Sequence, residues 1–473
     1  MSRRLFLFLI LAAASPAVRG QTVGRPDPAI EKMVGEISRD NIAATMRKLA
    51  SFETRGNFTD PDQKDRGIGA ARRWIFDQFK TYSPRLDVSF DSYQVKKQGT
   101  RILRDVEVVN VVAVLPGTTQ PNKQIIVGGH YDSLDIVRKA GAPELTPEGN
   151  EPAVDDTIDF DKSIDAPAPG VTDNAAGAAL VLELARVMSQ YKFEKTIVFI
   201  TFAGEEIGLV GSSLYAAKAK DHKDQIEAML NNDVVGVSMA GDGRSENGVV
   251  HVYSEEPVDS TSRELARYIR DTTQRYLPAF KAEPVFRQDR FSRGGDHSPF
   301  NANGFTAVRF TSAAENLDIQ HTANDTFDKS SPDYATSVAR VNGAVLASLA
   351  LAPSAPETVR EIQTGSAKGR KVPTVSRGKS HYDAILRWKD AAADDLAGYA
   401  IVLRSSTAPF WDHQIFVGKV TEYTLRGLSI DDVIFGVKAI DNDGHESLVA
   451  PWIATPYALR KIETADTPDS PKK

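Results

Sequence analysis

Hydrophobic and polar spacing divides the chain into two textures. Across residues 29–82, apolar side chains recur at helical intervals: Ile30, Met33, Ile37, Ile42, Met46 and Leu49, then Ala70, Ile75 and Phe79. This predicts two helices separated by a polar loop at 57–66. Residues 86–95 alternate, as an edge or half-exposed strand does; 106–115 and 124–128 are apolar enough for central strands. Residues 134–170 break the pattern. Pro143, Pro147, Pro152, Pro167 and Pro169 lie among many acids, which predicts a surface insertion, either a rim or lid beside a site or plain decoration. Regularity returns with a helix at 178–191, a β-branched and aromatic strand at 195–202, a helix at 211–221 and an apolar run at 228–237. Strands at 249–253 and 307–311 and helices at 261–276 and 332–351 complete the series. Such alternation predicts an α/β fold, three-layer α/β/α, with a mainly parallel mixed sheet between helices.

After residue 352 the texture changes. Pro353, Pro356 and Pro373, with Gly365 and Gly369, mark a linker-like stretch. Short alternating strands follow at 384–388, 398–404, 414–417 and 433–440, with the turn signal Asp441-Asn442-Asp443-Gly444. A run of about 100 residues of this kind predicts an all-β sandwich. It resembles a fibronectin type III domain in Trp388, Gly398-Tyr399 and Phe435-Gly436-Val437-Lys438-Ala439, although Val433 stands at the tyrosine-corner position. The expected divisions are a catalytic-type domain at 21–352, a sandwich with its linker at 353–460 and a disordered tail at 461–473. The sandwich reads as a spacer or as a module contacting a surface or polymer. Phe410 and Trp411 are candidates either for exposed contacts or for its core.

Composition narrows the chemistry. A chain of 473 residues is too long for one ordinary core, and 41% hydrophobic with 25% charged residues describes a globular protein. A net charge of −6 gives no electrostatic footprint for nucleic acid. Arg3 and Arg4 before an apolar run at 5–14, then Val18-Arg19-Gly20, predict a signal peptide over 1–20 cleaved before Gln21, hence a secreted or periplasmic protein. No second apolar run is long enough for membrane insertion. There is no cysteine, so thiolate catalysis and thiolate ligands are excluded, and any metal must be held by His, Asp and Glu. Asn57-Phe58-Thr59 and Asn324-Asp325-Thr326 match the glycosylation triplet, which also arises by chance.

The strand at 195–202 runs into Ala203-Gly204-Glu205-Glu206. Ligands of open α/β sheets bind at the carboxyl ends of strands. Adjacent carboxylates point different ways there, so one could bind a metal and the other act as general base. Alone, the pair reads equally as an exposed acidic turn. Four further segments alter that balance: His130-Tyr131-Asp132, Asp173-Asn174, Asn232-Asp233 and Gln320-His321-Thr322. Two histidines and several carboxylates without cysteine suit two divalent ions bridged by a carboxylate.

On these residues, the chain from about 30 to 350 resembles the co-catalytic two-zinc aminopeptidase family, whose relatives include glutamate carboxypeptidases and single-zinc glutaminyl cyclases. The matching motifs are His130-Tyr131-Asp132-Ser133, Gly170-Val171-Thr172-Asp173-Asn174-Ala175-Ala176-Gly177, Glu205-Glu206-Ile207-Gly208-Leu209-Val210-Gly211-Ser212, Asn232-Asp233, Asp296-His297-Ser298-Pro299-Phe300 and His321-Thr322-Ala323-Asn324-Asp325-Thr326. The resemblance implies a zinc exopeptidase fold and two Zn2+ per chain. One ion falls to His130, Asp173 and Asp233, the other to Asp173, Glu206 and His321, with Asp173 bridging. It makes Glu205 the general base and Asp132 the group that steadies the His130 imidazole. Asp173 would also suit a helix N-cap. Asp296 and His297 stand as substrate contacts or as shapers of the pocket. Two departures stand out: Ala176 replaces a common Ser, and Gln320 replaces a Tyr that steadies the oxyanion in several relatives, so that its amide is the candidate donor. The implied activity is removal of N-terminal residues from peptide substrates. Rival readings are a carboxypeptidase, using Arg287, Arg290 and Arg293 as its basic grip, a glutaminyl cyclase, or a non-catalytic binding protein.

Overall fold

The computed structural model describes residues 25–141, 158–255, 260–291, 293–362, 371–391 and 393–452. The expected leader, the tail and residues 142–157 of the insertion lie outside them. The larger domain contains α1 (Pro28–Gly35), α2 (Arg39–Ala50), α3 (Gly67–Tyr82), β1 (Asp87–Val95), β2 (Val106–Leu115), β3 (Gln120–His130), α4 (Phe160–Ser163), α5 (Ala176–Met188), β4 (Lys195–Phe202), α6 (Val210–His222), β5 (Gln225–Asn232), β6 (Val249–Ser254), α7 (Thr261–Tyr276), β7 (Lys281–Val285), α8 (His297–Ala302), β8 (Ala307–Ser312) and α9 (Pro332–Leu351).

The first predicted helix is in fact two. Ser38 accepts from the Asn41 N–H at 3.3 Å and caps α2. Ile37 stays buried across the break, so the apolar spacing runs on and hides it.

The eight strands are ordered β1-β2-β4-β3-β5-β8-β6-β7. The neighbours β4, β3, β5 and β8 are mutually parallel, so their carboxyl ends share one edge. Antiparallel pairing of β2 with β1 and β4, and of β6 with β8, makes the sheet mixed. Every residue of β4 is buried. Ile197 and Phe199 face one apolar core; Val198, Ile200 and Phe202 face the other. The first core includes α5 and α9, whose small residues Ala178, Ala179, Ala344 and Ala347 permit close helix packing. The thinner second core contains residues of α6 and α8. Three elements of this domain were not anticipated: the four-residue α4 inside the insertion, β7 and α8. β7 contains Pro284 and one fully buried residue, and α8 is six residues long with Pro299 inside it, so neither carries a period.

The linker-like stretch is partly structured. It supplies β9 (Glu357–Thr358) and the paired β10 (Arg360–Ile362) and β11 (Lys371–Pro373). The remaining strands are β12 (Asp383–Lys389), β13 (Leu396–Ser405), β14 (His413–Gly418), β15 (Glu422–Arg426), β16 (Val433–Asp441) and β17 (Ala450–Pro451). Antiparallel sheets β15-β12-β9 and β14-β13-β16-β17 enclose Trp388, Tyr399, Phe435 and Trp452. Trp411 belongs neither to an exposed platform nor to this core. It is buried against the larger domain, where its Nε1 donates to Glu264 Oε2 at 2.8 Å. Among the described residues no helix is long and apolar enough to cross a membrane.

Candidate metal centre

Each candidate side chain reaches the shared strand edge by a defined route. His130 is the last residue of β3. Glu205 and Glu206 follow β4 through Gly204, whose φ of 76° suits glycine. Asn110 fixes that loop, accepting from the Ala203 N–H at 3.1 Å and donating to Gly211 O at 3.1 Å. Asp233 follows β5, its N–H bonded to Phe310 O at 3.1 Å. His321 lies in the loop after β8.

Asp173 sits in a π turn, Val171–Ala175, ahead of α5, and the Asp173–Asn174 peptide is cis. It does not cap α5: the capping position is Ala175, without a side-chain bond. Asp325 instead fixes the turn, accepting from the N–H groups of Thr172 at 2.9 and 3.1 Å and of Asp173 at 3.0 Å. Asn174 donates to Asn232 O at 2.8 Å and accepts from the Gly177 N–H at 3.0 Å. A Cβ on Gly177 would fall 2.2 Å from Asn232 O, so only glycine fits.

The side chains converge. His130 Nε2 lies 3.1 Å from Asp173 Oδ1 and 3.5 Å from Asp233 Oδ1. His321 Nε2 lies 3.4 Å from Asp173 Oδ2 and 3.1 Å from Glu206 Oε2. The two oxygens of Asp173 therefore face different imidazoles. Ligand atoms of His130, Asp173 and Glu206 all lie within 4.8 Å of one another, as do those of His130, Glu205 and Asp233. Asp132 is fully buried; its Oδ1 is 3.4 Å from His130 Nδ1, and its Oδ2 accepts from Asn57 at 2.6 Å and from the Glu206 N–H at 3.1 Å. It thus steadies the strand-end loop as well as the imidazole.

The donor set fits a pair of divalent cations. Two ligands on one zinc, at about 2.0–2.1 Å and a tetrahedral angle, stand about 3.4 Å apart, close to the separations above. Glu206 Oε1 is buried without a hydrogen-bond partner. The charge balance points the same way. Burial pushes Glu205 and Glu206 above the usual carboxylate range, reinforced for Glu205 by Asp233 and for Glu206 by Asp173. Burial opposes charge on His130 and His321, yet the surrounding carboxylates hold both well above the ordinary imidazole value. The protein's own groups leave the cluster short of positive charge.

Of the other candidates, Asp296 adjoins the cluster and feels the charges of His130, Asp233 and Asp132. Asp296 and His297 are fully buried and present no surface to a substrate. His297 Nε2 lies 2.8 Å from Gln288 O, and burial raises Asp296 to about 7. The Gln320 amide is held: Nε2 donates to Glu315 at 3.2 Å and Oε1 accepts from Arg293 at 3.1 Å. These bonds fix the amide's orientation and leave one N–H of Nε2 as the candidate donor. Arg290 is held by Glu315 and Asp289, and Arg287 lies 3.6 Å over the Phe291 ring. The near stem of the insertion adjoins the site, with the Ile136 N–H bonded to His321 O at 3.0 Å.

Several supporting residues had escaped sequence reasoning. Arg55, fully buried, donates to the carbonyls of Leu49, Tyr131, Pro169 and Gly170, and so ties the His130 and Asp173 loops together. Asn57, within a glycosylation triplet, is buried against Asp132. Arg309 is the one charge in the apolar run of β8, a signal that could have singled it out.

Comparison with known proteins identifies the family. The chain belongs to peptidase family M28, whose model matches residues 110–346, a span containing every residue of the cluster. A probable zinc metalloprotease of Pyrenophora teres f. teres is 32% identical, over 89% of this chain and 86% of the relative. One from Phaeosphaeria nodorum is 33% identical, over 89% and 87%. The fold is shared with LapB from Legionella pneumophila, at a TM-score of 0.51 and 20% identity over 71% of this chain and 79% of LapB. It is likewise similar to a glutaminyl cyclase of Macrostomum lignano, at a TM-score of 0.50 and 16% identity over 69% and 94%.

Proposed function

We propose that the protein is an exported two-zinc aminopeptidase. The observation that carries this is Asp173, with one oxygen before each imidazole and Glu205 beside the pair. His130, Asp173 and Asp233 would hold one ion, and Asp173, Glu206 and His321 the other. When bound, such ions polarise a peptide carbonyl and make water acidic enough to serve as nucleophile at neutral pH. Glu205 is only half-buried and accepts the proton of the attacking water, then returns it to the leaving amine. Asp132 and Asn57 hold the His130 loop, and Asp325 holds the Asp173 turn.

Removal of N-terminal residues is favoured over C-terminal ones by charge. Arg290 and Arg293, which could grip a C-terminal carboxylate, are already engaged with Glu315. The N-terminal pattern of residues 1–20 supports export, and the strand pattern of the smaller domain supports a fibronectin type III-like module. Metal analysis combined with aminoacyl amides and C-terminally blocked peptides tests the catalytic reading. Two zinc ions per chain and cleavage of free N-termini are expected. About one ion with cyclisation of N-terminal Gln would replace it by a glutaminyl cyclase. Full zinc loading without any hydrolysis would replace it by a binding protein.

A further inference from the structure

Asp233 differs from the other members of the cluster in its second oxygen. Oδ1 faces His130, but Oδ2 lies 3.0 Å from Arg309 Nη2. A fixed positive charge beside a cation site is electrostatically adverse unless it is balanced. Here it is balanced: Nη1 of Arg309 lies 3.2 and 3.1 Å from the two oxygens of Asp289 and donates to Gly294 O at 2.7 Å. Arg309 is 1% exposed and Asp289 5%, so water does not substitute for either partner. Asp289 is itself fixed, accepting from the Arg290 N–H at 2.6 Å, while His297 Nε2 stands 3.6 Å away. Asp296 and His297, unassigned from sequence, thus border a buried chain running Asp233, Arg309, Asp289.

We propose that Arg309, neutralised by Asp289, is a positioning residue that holds Asp233 as a one-oxygen ligand and sets the affinity of one of the two metal pockets. This rests on the reading of Asp233 as a ligand. A guanidinium binds carboxylates in a planar fork and does not deprotonate, so Oδ2 is occupied in a fixed direction and Oδ1 is left aimed at the pocket. Two effects compete when Arg309 is removed. Asp233 gains negative charge, which strengthens its pull on a cation, but it loses its orientation. In this proposal the loss of orientation outweighs the added negative charge, and affinity falls.

The test is chelator-buffered zinc titration of the full-length protein, read by metal analysis, for wild type, Arg309→Met, Arg309→Lys and Asp289→Asn. Loss of such supporting contacts typically weakens metal binding about 10–100-fold. The expected result for Arg309→Met is selective release of one ion, with the second retained at wild-type affinity. Arg309→Lys, which reaches one carboxylate but cannot bridge two, should be intermediate. Asp289→Asn, which leaves the guanidinium charge unbalanced, should also weaken one site. It keeps the side-chain shape, so it serves if Arg309→Met does not fold. A merely structural role would lower the melting temperature and spare the difference between the two sites. Wild type holding two ions, with folded variants of unchanged affinity, would overturn the proposal alone. Wild type that never holds a second ion would overturn the reading of the centre and the proposal with it.

Discussion

The indole of Trp411 in the smaller domain donates to the buried carboxylate of Glu264 on α7 at 2.8 Å. Around it Arg267 donates to Pro409 O at 2.7 Å, Arg270 lies 4.0 Å over the Phe410 ring, and Arg275 pairs with Glu446 at 3.1 Å. This is a docked interface, not a tether. Trp411→Phe keeps most of the apolar volume but takes a donor from a buried carboxylate, and should cost about 1–3 kcal/mol. Denaturant unfolding of the two proteins measures it. Equal midpoints would mean that the indole–carboxylate bond adds nothing to stability.

A second contact between the domains depends on pH. His445 lies 2.8 Å from Asp441 and 3.1 Å from Asp27, the residue that caps α1. Burial opposes its charge, but the two carboxylates hold it at about 9. The folded value thus exceeds the unfolded value of about 6.5. The resulting stability is complete below that unfolded value, declines as the pH rises, and is gone above the folded one. At about 1.4 kcal/mol per unit it is worth at most about 3 kcal/mol. The gap in melting temperature between wild type and His445→Gln should therefore shrink from pH 6 to pH 10. A gap independent of pH would show that only packing is lost.

Glu205→Gln should keep both metals, because the proposed ligands are untouched, while kcat falls by about two to four orders of magnitude, the usual contribution of a general base. Hydrolysis of a chromogenic aminoacyl substrate, with metal content measured on the same sample, separates the two effects. Near-normal turnover would exclude Glu205 as the base.

Chelation should destabilise the protein. Without cations, the buried Asp173, Glu206 and Asp233 repel one another, and His130 and His321 offset this only in part. The melting temperature should fall on treatment with a chelator and return on adding zinc. An unchanged melting curve would argue against a preformed cation site.

Gly177→Ala should be severe although it adds a single methyl group. The new atom meets Asn232 O and both polar atoms of Asn174 at 2.2–2.7 Å, and none of these can retreat without releasing the Asp173 turn. Reduced yield or lost metal is expected. A stable variant with normal metal content would show that the turn is more pliant than its contacts imply.

Much of this was legible in the residue order. Long elements such as α7 and α9 were readable end to end: α7 repeats its apolar residues at helical spacing, and α9 is a long, mostly apolar run. The cluster was readable because its members stand at strand ends, in motifs carried by a family resemblance. What escaped was short or non-local. β7 and α8 carry no period. Asn57, Arg55 and Arg309 act across distances that only the folded chain closes. Asp296 and His297 sit in a motif of the right type, and their burial separates a packing role from a substrate contact. Gln320 was judged from its chemistry; its contacts with Glu315 and Arg293 depend on which loops meet.

Phe286 and Asp289 are three positions apart. Phe286 packs against Phe410 of the smaller domain with ring centroids 6.0 Å apart, and Asp289 grips Arg309. One short segment thus touches both the smaller domain and the ion-paired chain that ends at Asp233. Exchanging the smaller domain would remove the Phe410 side of that segment's packing, so an exchange design has to re-cover Phe286.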